Sequence, residues 1–438
     1  MAFVPVYIFI LFGTIVIDYF AGILIQDSVG AKRKYYLIIS LIANIGVLFV
    51  FKYYNFFLDN INTLTGLDWP LINILLPVGL SFHTFQAMSY TIEVYRGNQK
   101  AEKHFGTYAL YVMFYPQLVA GPIERPQNIL HQFHEKKQFS YENVVNGMKM
   151  MAWGMFKKIV IADRLALYVN EVFDHQINYE GIPVILACVF FSLQIYFDFS
   201  AYSDIALGAA KTLGFDLMTN FKAPYFSTSI AEFWSRWHIS LSTWFRDYLY
   251  IPLGGNRISK GRTKLNQFIV FIISGLWHGA NWTFLFWGFL HAIFVSVESE
   301  VKNVFGMFKL FLPLKRILLF CLITLAWIFF RAENISQAFT IISSLNNNLL
   351  SQVHDIITNN DLLRLKYLYA NLGSNVFLLS ILFSFIVMLF EWKQQGRNIV
   401  QYFHSLNKPM RYSVYLFLIY GSIFFGVFEE NQFIYFQF

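Results

Sequence analysis

Charge is what this chain has least of. Asp, Glu, Lys and Arg make up 13% of its 438 residues, about half the ~25% usual in soluble proteins. Cysteine is nearly absent too. The two present, Cys188 and Cys321, lie in apolar runs, form neither a disulfide framework nor a metal-type spacing, and say nothing about redox compartment. Gly-x-Ser-x-Gly, His-Glu-x-x-His, Cys-x-x-Cys and the nucleotide-binding fingerprint are all missing, which sets aside the chemistries those motifs support. Inverted repeats of the transporter kind are not evident either. The formal net charge of +7 does not require nucleic acid, because membrane proteins gather Lys and Arg in cytoplasmic loops.

Apolar residues fill the space that charge leaves. The chain is 56% hydrophobic and contains 50 Phe, more apolar surface than a soluble fold can hide. The expectation is an all-α integral membrane protein, with residues 1–438 forming one polytopic domain of ten to twelve spans around a buried polar centre. Phe3 to Ile25 is the first span, with Asp18 the odd residue inside it and no basic n-region of a cleavable signal. The basic run Lys32, Arg33, Lys34 after it belongs in the cytoplasm, Tyr36 to Phe51 crosses outward, and 52–69 is an external loop. Phe105 to Ala120 lies between two basic flanks and is expected to be re-entrant. Val144 to Asn170 is a long helix with embedded charges, and 332–373 a solvent loop with short helices. His131 and His134 share a His-x-x-His spacing in polar surroundings without a third ligand, so no metal site is assigned. His83 and Gln86 read as inter-helix hydrogen-bonding groups.

The longest charge-free run is Leu265–Val297, 33 residues. About 20 apolar residues span a bilayer as a helix, so this run is embedded and has length to double back. It holds Ser274, Trp277, His278, Asn281 and His291. Intramembrane polar groups are costly and mark functional sites by default. On a single helix Ser274, His278 and Asn281 share a face, and His291 lies roughly 20 Å further on. His278 is taken as the catalytic candidate, although a His in this setting also serves as structural glue.

Two further stretches carry polar groups. Gln194, Asp198 and Tyr202 recur every four residues near the end of an apolar span. Asp198 is weighed as a substrate-site residue against ion pairing with Arg236 or Arg246. Ser229–Tyr250 is read as one helix in which Trp234 and Ser242 flank His238, and its charges, Arg236, Arg246 and Asp247, put it at the interior or the interface rather than against lipid. After it come Arg257, Lys260, Arg262 and Lys264, four cations in eight residues. They suit a positive-inside anchor, and also the phosphates of coenzyme A.

FDFSAYSDIALG, FWSRWHISLSTWFRDYLYIPLGGNR and GLWHGANWTFLFWGFLHA resemble successive motifs of the membrane-bound O-acyltransferase (MBOAT) superfamily. The similarity is to its bacterial branch of alginate and peptidoglycan O-acetylation subunits. LLPVGLSFHTFQAMSYTIEVYRG, YPQLVAGPIERP and the closing FIYFQF extend it over most of the chain from about residue 70. The resembled proteins begin about a helix before residue 1 here. The resemblance implies an MBOAT-like bundle in which His278 matches the catalytic histidine and His238 a second important one. It implies acetyl-CoA as donor, with no permanently bound cofactor. It also implies an extracytoplasmic glycan acceptor, a separate extracytoplasmic acetyltransferase partner, and residence in a bacterial cytoplasmic (inner) membrane. Ser274, Trp277, Asn281, Asp198 and Arg246 are the substrate-side candidates, and the 257–264 cations the donor-side ones. D-alanyl transfer to teichoic acid is the alternative, the Trp-His pair and Arg-Asp-Tyr string being shared with that branch. A transport or assembly protein is the non-enzymatic alternative.

Overall fold

The computed structural model describes residues 7–74, 76–77, 79–307, 312–358, 366–394, 396, 398–428 and 433–434. Residues 3–6 of the first expected span, 308–311 of a later one, and 435–438 of the FIYFQF motif lie outside them. Among the described residues the secondary structure is helical throughout. Six helices are long and apolar enough to cross a membrane: Tyr7–Asp27, Ala31–Thr65, Ile182–Thr212, Trp282–Val301, Leu312–Arg331 and Ser374–Gln394. The stretch 105–120, expected to be re-entrant, forms the helices Phe105–Met113 and Tyr115–Leu118, and 229–250 forms three short segments.

The chain divides into two compact units. One comprises Met1–Met148 and Ala206–Thr219. Its helices Tyr7–Asp27, Ala31–Thr65 and Leu80–Arg96 pack against one another. Asp18, fully buried, explains how a carboxylate survives there. Ser40 Oγ donates to it at 2.6 Å, and Asn44 Nδ2 donates to its two oxygens at 2.9 and 2.8 Å. A buried carboxyl whose oxygens are met by such donors recovers part of its desolvation cost. Ala31–Thr65 runs 35 residues through a π-helical turn at Phe49–Tyr53, so the expected loop at 52–69 is largely helix. His131 and His134 likewise lie on a helix, Pro126–His134, which starts on its proline as that residue favours.

The second unit comprises Lys149–Ile205 and Asn220–Phe438. The long helix expected at 144–170 is present as Tyr141–Phe156, a π-helical stretch Lys157–Ala162 and Asp163–Asp174. Its charges turn inward. Lys157 pairs with Asp204 at 2.7 Å, and Lys158 with Asp163 and Asp198, each at 2.8 Å. The 332–373 segment carries the short helices Ile335–Ser344 and Leu349–Thr358.

The charge-free run does double back. Lys260–His278 ends at Gly279, and Trp282–Met307 begins three residues later. Two glycines allow the close contact between these helices. A Cβ on Gly275 would strike the Phe284 carbonyl, and one on Gly288 would strike the Phe271 carbonyl. Small residues at such crossings let backbones approach where lipid supplies no hydrophobic drive.

Candidate functional site

His278 is the last residue of helix Lys260–His278 and is 5% exposed. Its ring is walled by aromatics: Trp277 at 4.9 Å, Trp287 at 5.2 Å and Phe330 at 5.3 Å between centroids. The helix stops there because Gly279 adopts an extended conformation. Asn281 therefore does not share a helical face with His278, as expected from spacing. Its Oδ1 accepts from Thr283 N at 3.0 Å at the start of the next helix, and its Nδ2 donates to the Glu333 carbonyl at 2.8 Å. Ser274, buried, sits one turn before His278.

His238 is 1% exposed and lies between two short helices, Ile230–Arg236 and Ile239–Phe245. The single-helix reading of 229–250 fails at this residue, whose φ of 43° is left-handed. For a non-glycine residue that costs about 1–2 kcal/mol, and such strain persists only where the surroundings over-determine it. The surroundings are identifiable. Asn220 Oδ1 lies 3.1 Å from His238 Nδ1 and accepts from Ser240 Oγ at 2.9 Å. Asn220 Nδ2 donates to Ser203 Oγ at 3.2 Å, and the Asn220 carbonyl accepts from Ile239 N at 2.9 Å. Phe199 meets the imidazole edge-on at 4.6 Å.

The two histidines converge on Trp277. Its ring is 6.2 Å from that of His238 and 4.9 Å from that of His278. Residues 40 apart in sequence thus border one buried aromatic-lined centre. His291 enters the same cluster, contrary to its remote placement on a single long helix. Its ring is 4.8 Å from Trp287, and its Nδ1 accepts from Trp234 Nε1 at 3.3 Å. Trp234 accordingly serves His291 rather than flanking His238. Asn220, Trp287, His291 and Phe330 were not singled out from the sequence as site residues. His291 was visible as an intramembrane histidine, but nothing in the spacing marks Asn220.

The remaining candidates are more peripheral. Asp198, 3% exposed, pairs with Lys158 rather than with Arg236 or Arg246, and its other oxygen accepts from Ile434 N at 2.8 Å. Phe433 packs 5.1 Å from Tyr202 and 6.0 Å from Phe199, the ring that meets His238. Arg236 pairs with Glu232 at 2.6 Å and Arg246 with Asp247 at 2.8 Å. Of the four donor-side cations, Lys264 is ion-paired, with Glu300 at 2.6 Å. Arg257 is exposed in the turn beyond Gly254 and Gly255, whereas Lys260 and Arg262 open the helix that ends at His278. Ser259 caps that helix by accepting from Arg262 N. Among the described residues no group of three or more His, Cys, Asp or Glu side chains has the arrangement of a metal site.

A polytopic helical membrane protein with two buried histidines on one tryptophan is the class that fold and site define. Residues 101–335 match the MBOAT, membrane-bound O-acyltransferase family, and include both histidines. The chain is 37% identical over 368 residues to a peptidoglycan O-acetyltransferase of Helicobacter pylori, covering 77% of this chain and 70% of that protein. It is 40% identical over 333 residues to a probable alginate O-acetylase, AlgI, of Pseudomonas aeruginosa, covering 74% of this chain and 63% of that one. This chain thus spans less than two thirds of that relative's length. Similarity to a teichoic acid D-alanyltransferase of Streptococcus thermophilus is lower, 30% over 246 residues, covering 52% of this chain and 57% of that protein. The chain belongs to the membrane-bound O-acyltransferase family.

Proposed function

We propose that this protein, acting as one membrane domain, takes an acetyl group from acetyl-CoA for the O-acetylation of an extracytoplasmic glycan of the alginate or peptidoglycan type, in a bacterial cytoplasmic membrane. The observation that carries this reading is the convergence of His238 and His278 on Trp277 within the family-matched region. His278 is the general base. A neutral imidazole takes the proton of a receiving hydroxyl, presented from outside by the component that relays the acetyl group to the glycan, as its oxygen attacks the thioester carbonyl. The C–S bond breaks, the new C–O bond is the ester, and the proton passes on to the departing thiolate to give free coenzyme A. His238, pinned by Asn220, assists substrate placement. Ser274 and Trp277 position the substrate beside His278, while Asn281 fixes the turn after it by capping the next helix. Asp198 and Arg246 act more remotely, Asp198 by holding the segment that packs on Phe199. Arg257, Lys260, Arg262 and Lys264 receive the donor's phosphates from the cytoplasmic side, where the positive-inside rule puts them.

Acetyl is favoured over D-alanyl because the relatives at 37% and 40% identity carry acetylation names, whereas the D-alanyltransferase stands at 30%. A second, extracytoplasmic transferase completes delivery to the polymer. No motif of this chain supplies a serine nucleophile to hold the acetyl group outside. The test is reconstitution in liposomes with acetyl-CoA inside and glycan outside. Polymer acetylation is expected only when the second protein is added, and efficient acetylation without it would remove the partner from the scheme. No thioester consumption under any condition would remove the acetyltransferase reading itself.

A further inference from the structure

Away from the histidines, a cleft of about 760 Å³ opens in the first unit, lined by Gln26, Arg33, Gln99, Lys100, Lys103 and His134 among others. It lies where helix Tyr7–Asp27 ends, Ala31–Thr65 begins and Leu80–Arg96 ends. The loop forming its rim is fixed by three hydrogen bonds. Ala101 N donates to Gln26 Oε1 at 2.6 Å, Glu102 N to Tyr90 Oη at 2.8 Å, and Tyr19 Oη to the Lys103 carbonyl at 2.7 Å.

The cleft is cationic. Arg33 reaches inward: its Nη2 donates to the Val94 carbonyl at 2.8 Å, and its guanidinium stands 5.5 Å from the Tyr95 ring. Its Nε is buried and has no hydrogen-bond partner among the described residues. Lys100 and Lys103 are exposed, and no ion pair engages them among the described residues. The one lining carboxylate, Glu102, is occupied by its neighbours, lying 2.6 Å from His134 Nε2 and accepting from His104 N at 2.8 Å. Three cations therefore face a preformed space with the single carboxylate already engaged. Positive charge alone would serve as an orientation signal. A cleft with a hydrogen-bonded rim, three lining cations and its one carboxylate already engaged is more than such a signal needs.

We propose that this cleft binds a phosphate-bearing anion, with the headgroup of an anionic phospholipid as its source. Basic pockets at the ends of membrane helices recognise such headgroups. Here the helices whose ends form the cleft also carry exposed apolar side chains on other faces, Leu24 on the first and Tyr35 on the second. The Arg33 guanidinium and the two lysines supply positive charge for phosphate oxygens.

The test uses the full chain purified in an uncharged detergent and titrated with four probes: phosphatidylglycerol, phosphatidylcholine, inorganic phosphate and coenzyme A. Binding is read from the shift in unfolding midpoint. Phosphatidylglycerol is expected to bind and phosphatidylcholine not to. The double variant Lys100→Gln/Lys103→Gln changes only exposed side chains, and should weaken phosphatidylglycerol binding on the order of tenfold or more. Lys408→Gln, removing a cation elsewhere, should leave it within about twofold. If phosphate or coenzyme A shows the same variant-sensitive binding, the anion site stands and its source is soluble. Phosphatidylglycerol affinity unchanged by the double variant, or matched by phosphatidylcholine, would overturn the proposal.

Discussion

His238 holds a left-handed backbone at φ 43° because Asn220 ties down both its ring and the two residues after it. Asn220→Ala should therefore cost about 1–3 kcal/mol of stability, the price of leaving buried polar partners unmet. It should also lower acyl transfer while sparing donor binding, which unfolding and turnover measurements separate. Lys158 is the second such pivot. Lys158→Met leaves Asp163 and Asp198 buried without their cation, so a loss of about 3–5 kcal/mol is expected, since breaking one partner of a buried pair strands the other charge. A midpoint within a degree of wild type would contradict that. How legible these residues were in the sequence differs. His278 stands out because an ionisable side chain inside a charge-free run is rare. Asn220 does not, because it lies 18 residues from its partner in a loop with no pattern. Asp198 was visible as a costly charge, but its cation came from a helix 40 residues earlier rather than from the nearby arginines.

At the scale of elements, the hairpin of Lys260–His278 and Trp282–Met307 carries the site. Its contact depends on two glycines. Gly275→Ala and Gly288→Ala each place a Cβ against a facing carbonyl, and overpacking of this kind typically costs about 1–3 kcal/mol. Each variant should lower the unfolding midpoint and, by moving His278 relative to Trp287 and Phe330, reduce turnover more than donor affinity. That the run could double back was legible from its length, which exceeds one span, but the break after His278 was not, and Asn281 and His291 were placed on a continuous helix instead. The break in the 229–250 stretch was not legible either. Its residues suit a helix locally, and the interruption at His238 is imposed by tertiary bonds to Asn220 that local propensity does not report.

For the whole molecule, family membership and the helical membrane architecture agree, and sidedness is the next property to establish. In a Cys321→Ser background, Asn256→Cys should react only with reagent on the cytoplasmic side and Ile177→Cys only with reagent outside, because charge asymmetry orients such chains. Labelling of position 256 from outside would reverse the orientation and detach the donor from the 257–264 cations. The most direct test of the account compares wild type with His278→Ala, each purified as a monodisperse species and reconstituted in the same vesicles with acetyl-CoA inside and the glycan and second transferase outside. Acetyl transfer should fall at least about a hundredfold in the variant, the usual worth of a positioned base, with the unfolding midpoint little changed. Transfer by folded His278→Ala at the wild-type rate would contradict it.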